Sequence, residues 1–232
     1  MTQPPSLANS LESSLENSLA IGWYGKLPWL GDFVGAGLPW QADWSHALQA
    51  GLAEAVAAFG PDGLRQRIRG MAAWQCLLLP PDEDWAWCGV VAGSKDRVGR
   101  AFPLLVAEAL HRSALDALSP RQLQARALAL SDWVYDSAAF DSLEAFEQGA
   151  AEWLARAWPA GAPGTPGAPG APRTTHTETA GAASVAALCA RWPAAASFWW
   201  CTEPVADVEA PHADGWPPRP ALLQRLLGAA PG

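Results

Sequence analysis

Residues 72–110 run AAWQCLLL, PPDED, WAWCGVVA, GSKDRVGR and AFPLLVAEAL, and they carry the strongest strand signals of the chain. The three apolar runs are rich in aromatic and branched residues, which is typical of buried strands. The connector PPDED has a turn composition, so we predict an antiparallel hairpin that places Cys76 opposite Cys88. Pro103 cannot donate a ladder hydrogen bond, which predicts an edge position or a bulge for the third strand.

Helices are predicted on both sides of these strands. In 39–61 a Pro stands at the start, Gly-Pro at the end, and apolar residues recur every three or four positions between them. A short basic helical stretch follows this segment. A capping box at 119–122, with Pro at the first helical position, begins another helix, and a further one is expected over 141–158. Together with the strands, these segments indicate a mixed α and β fold.

We predict a single domain over residues 19–232, preceded by a flexible tail over 1–18. Residues 159–182 repeat Pro, Gly and small side chains, so they have little to bury and are expected to be disordered. The apolar run ASFWWC at 196–201 is expected to complete the main sheet, which makes the Pro/Gly segment an insert within one domain. In the tail, leucines recur every fourth residue, and two interpretations stay open: a frayed tail or a partner-binding helix.

Composition excludes several classes of function. The chain has 232 residues, is 50% apolar and only 16% charged, and contains 14 Trp. Its net charge of −8 disfavours nucleic acid and anionic lipid as partners. No apolar run approaches the roughly 18 to 20 residues of a membrane span. The first 20 residues contain no Lys or Arg, unlike a signal peptide, so a cytoplasmic location is expected.

No motif for catalysis, a metal or a cofactor stands out. The four Cys and four His are scattered without a C-x-x-C pair, which argues against a zinc site. Lys26 follows a G-x-x-G pattern but is succeeded by Leu27-Pro28, which does not match a phosphate-binding loop. No G-x-S-x-G elbow is present. We therefore predict no catalytic residues, no metal and no cofactor.

Two charged loops stand out in this charge-poor sequence: GKLPWLGDFV at 25–34 and GSKDRVGRAFP at 93–103. One interpretation is structural, with Asp32 paired to an arginine of the second loop, because buried Asp and Arg are nearly always paired. The other is a recognition surface for another protein. The candidate residues for either role are Lys26, Trp29, Asp32, Phe33, Lys95, Asp96, Arg97 and Arg100.

The tryptophans divide into two groups. Trp29 and Trp216 lie in loops beside prolines, so they are the candidates for exposed anchors at an interface. Others fall on predicted core faces of helices and strands: Trp44, Trp74, Trp87 and Trp153.

Four stretches together resemble one family. They are GWYGKLPWLGDFVGAGLP at 22–39, SKDRVGRAFPL at 94–104, SFWW at 197–200 and GWPP at 215–218. They are similar to the TagF family, also called ImpM, of accessory proteins of bacterial type VI secretion. The resemblance runs from about residue 21 to residue 228.

This resemblance implies a fold and a function. The implied fold is α+β: a three-layer α/β/α sandwich around a mainly antiparallel sheet, longin-like. The implied function is non-enzymatic, cytoplasmic and post-translational repression of secretion through a forkhead-associated-domain scaffold protein. It also links the protein to the threonine kinase and phosphatase pathway and to recruitment at the inner-membrane secretion complex.

The chain departs from the family pattern at Trp29-Leu30, where a small polar residue and an Arg are usual. A contact surface built on Trp29 is therefore expected. Two other functions remain as alternatives: a hydrolase using Asp32, Asp96 and Arg100, and a carbohydrate-binding or envelope-binding protein using exposed tryptophans. The second alternative conflicts with the expected cytoplasmic location.

Overall fold

The computed structural model describes residues 20–157, 184–201 and 211–228, and the predicted tail over 1–18 and insert over 159–182 lie outside them. The strands of the described residues are β1 (Ile21–Lys26), β2 (Phe33–Ala36), β3 (Trp74–Leu78), β4 (Trp85–Lys95), β5 (Ala101–His111), β6 (Ser197–Cys201) and β7 (His212–Asp214). The helices are α1 (Gln41–Arg69), α2 (Pro120–Asp136), α3 (Leu143–Ala157), α4 (Val185–Cys189) and α5 (Pro220–Gly228), with 3-10 turns at Arg112–Asp116 and Ser137–Ala139.

All seven strands described belong to one antiparallel sheet, in the order β2-β1-β5-β4-β3-β6-β7. The side chains of β4 and β5 alternate between two core regions. Trp87 and Val91 face α1 and α5, whereas Cys88 and Val90 face the side of α2, α3 and α4. Helices therefore cover both faces, and the predicted α+β class with an antiparallel sheet is confirmed. The longin-like topology stays a prediction.

The hairpin of β3 and β4 is present, but its predicted register is wrong by one residue. Cys76 lies opposite Gly89, and Cys88 lies opposite Leu77. The turn contains Asp82 at a φ of 61°, a left-handed conformation that shifts the centre of the hairpin. A shift of one residue places the two cysteines on opposite faces of the sheet, and both thiols are free.

The predicted edge position of Pro103 is also wrong, because β5 is central and pairs with both β1 and β4. Pro103 lies opposite Gly93 of β4. On the other side, the pairing with β1 ends at Tyr24 and Leu105, so no β1 residue is paired with Pro103. Pro103, which has no backbone N–H, is therefore tolerated at a position where β5 is paired with only one neighbouring strand.

The element α1 consists of two helices that meet at Gly60, whose φ of 69° and ψ of 167° are not helical. The predicted helix end at Gly60-Pro61 and the short basic helical stretch after it are therefore confirmed, and the two helices are joined across a kink. Val56 is one of the apolar residues that recur every three or four positions in this segment and were expected to share a buried face, but it is 41% exposed.

The segment at 196–201 joins the sheet as expected, because β6 pairs with β3 along its full length. The capping box at Ser119 and Gln122 is also confirmed, with both of its reciprocal hydrogen bonds formed. The described helices include none long and apolar enough to cross a membrane.

Candidate functional site

Two hairpin loops meet at one end of the sheet. Loop A (residues 27–32) connects β1 to β2, and loop B (residues 96–100) connects β4 to β5. The strands β1 and β5 are antiparallel neighbours, so the end of β1 and the start of β5 lie side by side. The sheet topology therefore brings together the two charged loops that stood out in the sequence.

Asp96 is the central acid of this loop pair. Its residue is 1% exposed. Its Oδ2 accepts hydrogen bonds from Lys26 Nζ at 2.6 Å and from Arg100 Nε at 2.6 Å. Its Oδ1 accepts from the backbone N–H groups of Val98 at 3.1 Å and Arg100 at 2.8 Å. Both carboxylate oxygens are thus engaged by donors from both sides of the loop pair.

Further hydrogen bonds fix loop B to the main chain of loop A. The Arg100 Nη2 donates to the Gly31 carbonyl at 2.6 Å. The backbone N–H of Arg97 donates to the Leu30 carbonyl at 2.8 Å. Because two strands anchor each loop, these cross-links hold the pair as one unit.

The electrostatics of Asp96 follow from these contacts. Burial by itself raises the pKa of the carboxyl group. Hydrogen bonds from Lys26, from the Arg100 N–H and from the Arg100 guanidinium outweigh burial and hold the pKa well below its ordinary value of 3.8. Asp96 is therefore a charged, fully bonded group at neutral pH.

The predicted ion pair of Asp32 is wrong. Asp32 is exposed, and the ion pairs found within residues 20–157, 184–201 and 211–228 do not include it. Sequence reasoning identified the correct loops and the correct kind of contact, but the acid that joins the loops is Asp96. The candidates Asp32, Lys95, Arg97 and Arg100 are exposed, and Lys26 is buried.

Two apolar side chains project at the loop pair. Phe33 is 49% exposed and packs edge-on against Phe102 with ring centroids 4.4 Å apart. The Lys26 Nζ lies 4.8 Å from the Phe33 ring centre. Val98, at the tip of loop B, is 68% exposed. Val98 was missed by sequence reasoning, although a branched apolar residue within a tight charged turn was a usable signal.

The tryptophans predicted as exposed anchors pack inward. Trp29 is half-buried, its indole N–H is enclosed, and its ring centroid lies 6.1 Å from that of Phe146 in α3. Trp216 is half-buried against Trp40 at 5.1 Å. The segments that contain Trp29 and Trp216 each fold back over a core cluster. A neighbouring proline therefore did not indicate that either indole is exposed. The predicted core tryptophans are buried as expected: Trp44, Trp74, Trp87 and Trp153.

A cleft of about 530 Å³ opens next to the loop pair. It is bounded by the end of β1, the end of β4, β5 and the C-terminal end of α2. Its lining comprises Leu27, Pro28, Arg69, Ala92, Gly93, Ser94, Lys95, Leu104, Val134, Tyr135, Ser137 and Ala138.

The hydrolase candidates do not form a common centre. Asp96 and Arg100 are bonded to each other, whereas Asp32 is exposed and outside that pair. In the part of the chain that the structure describes, no group of three or more His, Cys, Asp or Glu side chains is placed to hold a metal ion.

Comparison with known proteins adds two similarities. A family model described as the TagF N-terminal domain, type VI secretion system-associated, matches residues 22–152. The crystal structure of PA0076 from Pseudomonas aeruginosa PAO1 is similar, with a TM-score of 0.58 and 27% sequence identity. That similarity covers 90% of this chain and 94% of PA0076. No curated protein matches the chain.

Proposed function

The chain belongs to the TagF N-terminal domain family of type VI secretion-associated proteins, and from this premise we propose that it is a non-enzymatic regulator. In this proposal it restrains the secretion apparatus after translation by binding a forkhead-associated-domain scaffold protein of that apparatus. The regulator acts from the cytoplasm, is recruited to the inner-membrane secretion complex, and is linked to the threonine kinase and phosphatase pathway. The observation that carries the binding role is the cross-linked loop pair.

The contact surface in this proposal is the loop-pair surface, defined as Asp32, Phe33, Lys95, Arg97, Val98 and Arg100. It combines two exposed apolar side chains with charged neighbours, and apolar and aromatic anchors within a polar rim are typical of protein interfaces. Phe33 is held in place by Phe102 and Lys26 before any partner arrives. A preorganised side chain loses less conformational entropy on binding, which favours a docking role.

The bonding of Asp96 supports binding over the hydrolase alternative. A general base or nucleophile needs an oxygen that can reach a substrate. Both oxygens of Asp96 already accept hydrogen bonds from Lys26, Val98 and Arg100. Its role in the proposal is therefore to position the loops rather than to react.

The proposal is tested by measuring the affinity of the purified protein for a purified forkhead-associated-domain protein from a type VI secretion apparatus. The double variant Phe33→Ala with Val98→Asp is expected to bind at least about tenfold more weakly, since it removes both apolar anchors. Val98→Asp alone should also weaken binding, and its side chain is too exposed to affect folding.

The matched control is Val56→Ala with Leu128→Asp, which changes exposed apolar side chains on α1 and α2. This control should bind like the wild type. Binding by the loop-pair variants at wild-type affinity, with unchanged melting temperature, would contradict the surface assignment. Failure of the wild type to bind would contradict the proposed partner class.

A further inference from the structure

The cleft beside the loop pair arises because β4 is longer than the strand next to it. The last pair between β3 and β4 joins Trp74 to Val91, yet β4 continues to Lys95. On the other side of the hairpin, the ladder between β1 and β5 ends at Tyr24. The tip of the β4–β5 hairpin therefore extends beyond its neighbours, and the space around it is filled only partly by loop A and α2.

The wall of the cleft is apolar and rigid. Leu27, Ala92, Leu104 and Val134 line it, and each is nearly fully buried in the folded domain. All four residues belong to one core cluster with residues of the sheet strands, so the wall is part of the packed interior. An apolar group that enters the cleft would be buried against this preformed apolar wall.

The polar lining of the cleft is cationic. Arg69 and Lys95 are the charged residues among those that line it, and the lining contains no acidic side chain. Arg69 is exposed, and its Nη2 reaches the Gly99 carbonyl at 2.9 Å, which places the guanidinium beside loop B. The Ser94 hydroxyl is already engaged, because it donates to the Lys26 carbonyl at 2.7 Å.

This charge differs from that of the whole chain. The chain has a net charge of −8 and only two lysines, Lys26 and Lys95, which both lie at this end of the sheet. Lys26 is neutralised by Asp96, whereas the ion pairs of the described residues do not include Lys95. The cleft thus presents an uncompensated positive charge next to an apolar wall.

We propose that the cleft is a binding site for a small amphipathic anion, a carboxylate that carries a hydrocarbon group. The carboxylate lies between Lys95 and Arg69, and the hydrocarbon group packs against Leu27, Leu104 and Val134. A cleft of about 530 Å³ lies within the usual range of small-molecule sites, which is roughly 300–1,000 Å³. Lys95 belongs to both the loop-pair surface and the cleft lining. The exposed apolar residues of that surface, Phe33 and Val98, do not line the cleft, so variants of these two residues separate partner binding from anion binding.

The test uses isothermal titration calorimetry of the full chain with three probes. Octanoate supplies both the charge and the hydrocarbon group, octanol supplies the hydrocarbon group alone, and inorganic phosphate supplies charge alone. Octanoate is expected to bind one to one, and each of the other probes at least about tenfold more weakly. No binding of octanoate, or equal binding of octanol or phosphate, overturns the proposal.

Variants locate the site. Ala138→Trp places a bulky ring in the cleft from an exposed position, and Ala139→Trp adds the same ring at an exposed neighbour that does not line it. Lys95→Ala removes the cation, and Arg65→Ala removes an exposed cation of α1 outside the cleft. Ala138→Trp and Lys95→Ala should each weaken octanoate binding at least about tenfold, whereas the two controls should bind like the wild type.

Amide chemical shifts give a second measurement. Octanoate should shift the N–H resonances of Gly93 and Ser94, which line the cleft. Wild-type affinity in both Ala138→Trp and Lys95→Ala, or shifts confined to residues away from the cleft, overturns the assignment. All four substitutions are at exposed positions, so an unchanged circular dichroism melt is expected and confirms that each variant is folded.

Discussion

Two buried carboxylates on the β4–β5 hairpin have different roles. Glu108 of β5 is 0% exposed and receives a two-pronged contact from Arg126 of α2, with Nε to Oε1 and Nη2 to Oε2 both at 2.6 Å. Asp96 of loop B is 1% exposed and is bonded to the buried Lys26 of β1 and to Arg100, whose side chain is 62% exposed. The first carboxylate joins the sheet to a helix inside the core, and the second joins the end of β1 to loop B near the surface.

The difference shows that a buried carboxylate ion pair has different effects in different parts of the fold. Burying a carboxylate without an ion-pair partner lowers the free energy of unfolding at either position, so both carboxylates are paired. At Glu108 the pair connects two layers of the fold, so its loss affects the whole domain. At Asp96 the pairs connect loop B with the end of β1 at the edge of the domain, so their loss affects the shape of a surface more than the existence of the fold.

The largest loss of unfolding free energy is expected for Glu108→Ala. This change leaves the Arg126 guanidinium, whose side chain is 16% exposed, without its carboxylate. Breaking a buried pair by removing one partner costs about 3–5 kcal/mol of unfolding free energy. Urea denaturation measures the loss. As a control, the double variant Glu108→Leu with Arg126→Leu should recover most of it, because it leaves no buried charge; no recovery would contradict the assignment of the loss to an unpaired ion.

A smaller loss of unfolding free energy, with a distinct pH dependence, is expected for Asp96→Asn. The pKa of Asp96 in the folded protein lies below the ordinary 3.8, so its ionised form stabilises the fold above that pH. This stabilisation is lost as the pH falls through the range below 3.8. The difference in unfolding free energy between wild type and variant should therefore shrink on acidification from pH 6 to pH 2. A difference that stays constant across that range would contradict the proposed role of the charge.

The smallest effect on stability is expected for Arg100→Ala, because its side chain is mostly solvent-exposed. The loss should be less than that of Asp96→Asn. The change removes the bond to the Gly31 carbonyl, so amide hydrogen exchange in loop A should become faster. Arg97→Ala is the matched control, since Arg97 contacts Leu30 through its backbone N–H. Equal acceleration in both variants would show that the Arg100 side chain does not hold loop A.

Much of the fold could be predicted from local patterns. The capping box at Ser119, the apolar periodicity of α1 and the strand at 196–201 are short-range signals, and each corresponds to an observed element. The register of the first hairpin could not be predicted, because it depends on the left-handed backbone of one residue, Asp82. The helix end at Gly60-Pro61 could be predicted, because the glycine takes a backbone conformation outside the helical region.

The candidate site was predicted less completely. The sequence places Asp32 and Asp96 in comparable glycine-bounded loops, and composition cannot show which carboxylate turns inward. That choice depends on the turn of loop B, which aims two of its own N–H groups at Asp96. Trp29 was assigned to the surface because it lies in a loop beside a proline, and its packing partner, Phe146, lies far away in the sequence.

The positions of β6 and α5 in the fold determine where the chain can be cut without exposing its core. The family model ends at residue 152, but β3 has β6 as its outer neighbour. The helix α5 lies close against α1 at Gly51, and the indole N–H of Trp74 donates to the Leu226 carbonyl. A recombinant fragment cut at residue 152 would expose an unpaired sheet edge and the apolar side of α1. The region that the family model matches is therefore smaller than the region that completes the sheet and its core.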